Sequence, residues 1–112
     1  MSQITTHVLD TSLGKPGKGI RIGLYQPEDD TWKLVAEGIT DDDGRIGDLL
    51  AEGKVLAEGN YQMVFDTGSY YKEQATKTFY PKVTIEFTVF DKSHYHVPLL
   101  LNPFGFSTYR GS

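Results

Sequence analysis

The sequence predicts an all-β sandwich with at most one short helix. Three observations carry this. Apolar residues recur with a period of two along most segments that contain them. Gly, Pro, Asp and Asn clusters interrupt the chain at short intervals. Only one stretch departs from alternation in a way that suits a helix.

The elements follow in order. Ile4 to Leu9 alternates, with Ile4, Thr6 and Val8 on one face and Thr5, His7 and Leu9 on the other. Gly14-Lys15-Pro16-Gly17-Lys18-Gly19 reads as a flexible loop. Ile20, Ile22 and Leu24 share a face of a second strand that ends at Tyr25, and Pro27-Glu28-Asp29-Asp30 turns the chain. A third strand covers about Thr31 to Gly38, and Asp41-Asp42-Asp43-Gly44 is the next turn. Tyr61, Met63 and Phe65 line one side of a strand from Asn60 to Phe65. Ser69 to Thr78 breaks the alternation and predicts the helix, capped by Thr67 or Ser69, with Pro81 closing the region. Val83, Ile85, Phe87 and Val89 share the face of another strand. Tyr95 to Leu101 and Phe106 to Arg110 complete the set, separated by Asn102-Pro103-Phe104-Gly105. Seven or eight short strands result, with no linker, repeat or low-complexity tract.

A chain of 112 residues predicts one domain over residues 1–112. A domain of this size buries roughly two-thirds of its unfolded surface, which makes a core that stands alone without surplus. Hydrophobic residues make up 38%, so further burial by oligomerisation is expected.

Eleven Lys and Arg stand against fifteen Asp and Glu, a net charge of −4. No basic stripe is present, which argues against nucleic acid and against a membrane surface. No apolar run approaches the ~20 residues that span a bilayer. Cysteine is absent, which removes disulfides, zinc thiolates and a thiol nucleophile. Met1-Ser2-Gln3-Ile4 lacks the basic and apolar blocks of a leader. The expected compartment is the cytoplasm, or the periplasm if a leader has been removed.

Several motifs fail on inspection. Asp41-Asp42-Asp43-Gly44 lacks the calcium-loop pattern, because Ile39 and Leu50 occupy ligand positions. The Gly14–Gly19 loop lacks the Gly-Lys-Ser/Thr ending of a phosphate loop, and no helix follows it. His94 and His96 are spaced to share a strand face, with His7 as a third ligand in principle, but most strand histidines bind no metal and none is expected here.

The remaining polar residues that interrupt strand faces are His7, Arg45 and His96, with Tyr109, Arg110, Gly111 and Ser112 at the end of the sequence. Taken singly they suit ordinary solvated positions, and a terminal Arg-Gly-Ser ordinarily frays. Strand order is not readable from one chain, so spacing alone does not bring them together.

A resemblance does. Thr5-Thr6-His7-Val8-Leu9-Asp10-Thr11 followed by Gly14-Lys15-Pro16 is similar to the opening of the 5-hydroxyisourate hydrolases, the transthyretin-related enzymes of urate breakdown. His94-Tyr95-His96-Val97-Pro98-Leu99-Leu100-Leu101 through Ser107-Thr108-Tyr109-Arg110-Gly111-Ser112 resembles their C-terminal signature, and Asp43-Gly44-Arg45 and Phe79-Tyr80-Pro81 fit between. The Tyr-Arg-Gly-Ser ending separates these hydrolases from transthyretin. Departures are mild: Phe104 and Phe106 replace a frequent Tyr, Asn102 a frequent Ser, and Gly17 a frequent Ala.

The resemblance implies a transthyretin-like sandwich of two four-stranded sheets with one short helix. It implies a homotetramer with active sites in a channel where dimers meet. The implied substrate is 5-hydroxyisourate, opened at a ring amide without metal or organic cofactor. Catalysis would fall to His7, Arg45, His96 and Ser112. Substrate would be held by His7, Arg45, Tyr109, Arg110 and Gly111. Histidine suits a base near neutral pH, and either His7 or His96 fits that role. His96 is placed in the channel and His94 nearer its margin. The alternatives are a carrier that binds a small ligand without chemistry and a generic interaction module; neither needs neutral-pH bases beside an arginine. A buried tail further requires Ser112 to lie at or near the end of the chain, so a bulky C-terminal tag is expected to harm activity more than an N-terminal one.

Overall fold

A computed structural model describes residues 2–112. The elements are β1 (Ile4–Asp10), β2 (Lys15–Pro16), β3 (Arg21–Glu28), β4 (Thr31–Ile39), β5 (Arg45–Ile46), β6 (Gly59–Phe65), α1 (Thr67–Glu73), β7 (Val83–Val89), β8 (Tyr95–Asn102) and β9 (Gly105–Thr108). They form two sheets. One runs β2-β1-β8-β9, and the other runs β4-β3-β6-β7. The dipeptide strands β2 and β5 share one side of β1, at Leu9–Asp10 and Thr6–His7 respectively. The chain therefore forms the expected sandwich of two sheets with one short helix, except that the dipeptide strand β5, paired with β1, makes the first sheet five-stranded instead of four-stranded.

Alternation sets which face each strand buries. Along β1, Ile4, Thr6, Val8 and Asp10 are buried, while Thr5, His7 and Leu9 are half-buried on the outer face. Ile22 and Leu24 of β3, Met63 and Phe65 of β6, and Leu99 and Leu101 of β8 meet between the sheets. The β3–β4 hairpin is tighter than expected: pairing continues to Glu28 and Thr31, and only Asp29 and Asp30 turn.

Three local expectations need correction. The helix begins at Thr67 rather than Ser69, and its N-cap is Asp66 instead of Thr67 or Ser69. An Asp66 carboxylate oxygen accepts the Ser69 N–H at 3.2 Å, which supplies the cap. The Gly14–Gly19 stretch is not simply a flexible connection, because Lys15 and Pro16 pair with Asp10 and Leu9. The last strand ends at Thr108, two residues short of Arg110.

Asp10 ties β1 to the helix. It is fully buried, and its carboxylate accepts from the Ser12 N–H (3.0 Å), the Ser12 hydroxyl (2.6 Å), the Leu13 N–H (3.2 Å) and the Tyr70 hydroxyl (2.7 Å). Burial, reinforced by the Asp10 bond, pushes the Tyr70 phenol up to about 12. Replacing Asp10 by alanine would leave these donors unpaired. Asp10→Ala is expected to lower unfolding free energy by roughly 3 kcal/mol, read from urea denaturation with an unchanged m-value.

Candidate active site

Three strands place the site. The parallel ladder between β1 and β8 sets Thr5 opposite His96 and His7 opposite Pro98. The antiparallel contact between β1 and β5 sets His7 opposite Arg45. Paired residues project to the same side of a sheet, so Thr5, His7, Arg45 and His96 share the outer face of the first sheet. The period-two pattern of β1 fixed that side for Thr5 and His7, because Ile4, Thr6 and Val8 point into the core.

The acidic turn holds Arg45. One Asp41 carboxylate oxygen accepts from the backbone N–H groups of Asp43 (2.9 Å) and Arg45 (3.0 Å). The Arg45 N–H, then burial acting oppositely and the Asp43 N–H, leave the Asp41 carboxyl below the usual aspartate value. Gly44 has φ +74, a conformation that L side chains rarely adopt, and a Cβ there would overlap the Val8 carbonyl oxygen. Its own carbonyl accepts from the Val8 N–H at 2.8 Å. The turn is thus pinned onto β1, and Arg45 emerges beside His7. Its structural role is anchorage of Arg45.

The end of the sequence lies along β8. The Gly111 N–H donates to the His96 carbonyl at 2.9 Å, forming an isolated bridge. The Thr108 hydroxyl donates to the Pro98 carbonyl at 2.7 Å. Gly111 packs against the His96 ring so closely that a Cβ would lie 2.5 Å from its Cδ2.

A cleft of about 300 Å³ opens over this face, lined among others by Thr5, Arg45, His94, His96 and Ser112. The Thr5 hydroxyl lies 2.8 Å from His94 Nε2 and 2.8 Å from His96 Nδ1. The two rings stack with centroids 6.4 Å apart. Burial, then the charges of Arg45, His94 and His7, hold the His96 pKa below the ordinary histidine value. Burial and Arg45 also lower His7, while Asp43 and Asp41 pull the other way. Both shifts favour the neutral imidazole, the form able to accept a proton.

Tyr109 and Arg110 lie elsewhere in the isolated chain. They border a second cleft of about 380 Å³, shared with His96, Tyr95 and the β7 residues Ile85 and Phe87. The Arg110 guanidinium sits 4.4 Å over the Tyr95 ring, and its Nη2 reaches the His94 carbonyl at 3.4 Å. Tyr109 is 60% exposed. So the chain brings His7, Arg45, His96 and Ser112 to one face, and His96 and Gly111 link it to the cleft that holds Tyr109 and Arg110. Sequence reasoning passed over Thr5, which reads as an ordinary strand residue; its place two residues before His7, on the same face, was the available signal. Among the described residues, no three His, Asp or Glu side chains group to hold a metal ion.

The arrangement pairs neutral bases with a fixed cation, a set suited to water attack on a carbonyl. Comparison with known proteins points the same way. The HIUase/Transthyretin family model matches residues 4–111. The 5-hydroxyisourate hydrolase 2 of Rhizobium meliloti (strain 1021) is 46% identical over 115 residues, covering 98% of this chain and 96% of that protein. The solved Klebsiella pneumoniae 5-hydroxyisourate hydrolase shares 32% identity at a TM-score of 0.85, covering 97% of this chain and 98% of that one. Sea bream transthyretin in complex with thyroxine shares 28% identity at a TM-score of 0.90, covering 98% and 95%. The chain belongs to the HIUase/Transthyretin family.

Proposed function

We propose that this chain hydrolyses 5-hydroxyisourate to 2-oxo-4-hydroxy-4-carboxy-5-ureidoimidazoline, a step of urate degradation. The observation that carries the proposal is the meeting of His7, Arg45 and His96 on one sheet face, where burial and the Arg45 charge favour the neutral form of both imidazoles.

In this scheme a histidine, His7 or His96, takes a proton as a water oxygen bonds to a ring amide carbonyl carbon. The carbonyl oxygen becomes negative, and Arg45 stabilises it through its donors; one such donor contributes commonly about 3 kcal/mol. The C–N bond of the tetrahedral intermediate then breaks, and the histidine returns its proton to the departing nitrogen. The new carboxylic acid ionises to solvent. Ser112 orients the water, and Tyr109, Arg110 and Gly111 bind substrate.

The carrier reading has one observation in its favour, the higher TM-score to the transthyretin structure. Backbone likeness, however, is common to carriers and enzymes, and function is decided by the site. A carrier has no use for neutral imidazoles beside a guanidinium. The deciding experiment generates 5-hydroxyisourate freshly with urate oxidase and follows its ultraviolet decay. Decay no faster than the spontaneous reaction refutes the enzyme.

The working unit in this reading is a homotetramer with sites between dimers. Its support is apolar surface that a monomer leaves wet: Phe90, Phe106 and Tyr109 are exposed near the ends of β7 and β9, the outermost strands on that side. A partner over this region would also cover Arg110. Sedimentation of the active protein as a monomer would contradict the assembly. No described helix is long and apolar enough to cross a membrane.

A further inference from the structure

Thr5 stands at the centre of the histidine cluster, yet a threonine hydroxyl has one proton to give. Two ring nitrogens, His94 Nε2 and His96 Nδ1, lie 2.8 Å from that hydroxyl. It can donate to only one of them, and the other ring must donate to it. The two rings are therefore coupled, and the direction of the shared bonds decides where each carries its proton.

We propose that Thr5 is a positioning residue that donates to His94 Nε2, accepts the His96 Nδ1–H, and so leaves His96 Nε2 as a lone pair facing the reaction. Among the described residues no hydrogen bond takes up that Nε2. The cleft that His96 lines is also lined by Arg45, whose guanidinium can only donate. A lone pair complements that neighbour, whereas a second N–H would oppose it. The direction also suits proton uptake. When Nε2 gains a proton, the ring carries N–H at both positions, and Nδ1–H still needs an acceptor. The Thr5 oxygen is already in that role, so nothing must rearrange. The opposite direction would present Nε2–H to the substrate and remove the base.

His94 acquires a role through this coupling. It accepts the Thr5 proton and so keeps the hydroxyl from donating to His96. The charged and titratable groups that face the pair are His7 from β1, Arg45 from β5, Arg110 at the His94 carbonyl, and Lys54 and Lys92, which border the adjoining hollow with His94.

The inference deepens the hydrolase reading but does not depend on it for its first test. Long-range ¹⁵N–¹H correlation spectra of the labelled wild-type protein near neutral pH should show both His94 and His96 with protonated Nδ1 and unprotonated Nε2. A His96 proton on Nε2 overturns the proposal, whatever the activity. In Thr5→Val, His96 should shift toward the Nε2–H form and kcat for 5-hydroxyisourate should fall at least ~10-fold, with KM within about twofold. Thr5→Ser should restore both the tautomer and most of kcat. A Thr5→Val enzyme with wild-type kcat and tautomer would refute the role. If Thr5→Val does not fold, the wild-type spectrum decides. An inactive wild-type protein would defeat the hydrolase reading while leaving the tautomer measurement intact.

Discussion

Arg45→Gln is expected to lower kcat for 5-hydroxyisourate by about 10²–10³-fold, the usual loss when one donor to a developing oxyanion is removed. Arg45 emerges from a turn pinned to β1, opposite His7 and on the same cleft as His96. Glutamine retains polarity and approximate length but neither the charge nor the paired donors. Arg45→Lys should recover only part of the activity, because a point charge cannot present two parallel N–H groups. A second signature separates loss of charge from general damage. After burial, Arg45 is the next cause lowering both His7 and His96. The base works when neutral, so activity falls as pH drops through its pKa. Removing the cation raises that pKa, and the acid limb of the kcat profile should move to higher pH. A variant within about threefold of wild type, with an unmoved acid limb, would exclude Arg45 from the chemistry.

Gly111→Ala should cost about 10²-fold in kcat while the fold keeps its stability to within about 1 kcal/mol. The added Cβ would lie 2.5 Å from Cδ2, 3.2 Å from Cγ and 3.4 Å from Cβ of His96. Either the imidazole swings away from Thr5, or the tail lifts and the 2.9 Å bond from Gly111 N–H to the His96 carbonyl is lost. Both displace the base by a fraction of an ångström or more, and misplacement of about 1 Å can cost 10²-fold. The stabilising core is untouched, because the tail lies outside it. Kinetics and thermal melting on the same preparation test this together. Wild-type kcat would show that the ring position is not critical.

Much of the fold was legible because a period of two assigns faces directly. Ile4, Val8, Ile22, Leu24, Met63 and Phe65 are buried as their alternation requires. The dipeptide strands at Lys15–Pro16 and Arg45–Ile46 were not legible, since two residues carry no period. The helix start was misread because Asp66 follows a clean strand pattern and its capping role shows only in the bond to Ser69. Strand order lies beyond periodicity altogether: that β1 pairs in parallel with β8 is a tertiary fact. Without it, His7 and His96 are two histidines far apart in sequence, and only the resemblance joined them. Thr5 was hidden by its own suitability for a strand. The position of Arg110 over Tyr95 in the isolated chain had no sequence signal at all.

The parallel pairing of β1 with β8 has a kinetic meaning. The contact between Thr5 and His96 spans 91 positions, so closing it means joining nearly the two ends of the chain. Contacts of such high contact order form late and slowly, because the loop entropy is lost before the contact repays it. In the other sheet, the β3–β4 hairpin joins near neighbours, and β6 pairs with β7 across only the segment that carries α1, so both pairs can assemble first. A nascent chain that has made only those pairings holds a core nucleus and no base. Appearance of activity during refolding therefore reports the last closure of the molecule rather than its collapse.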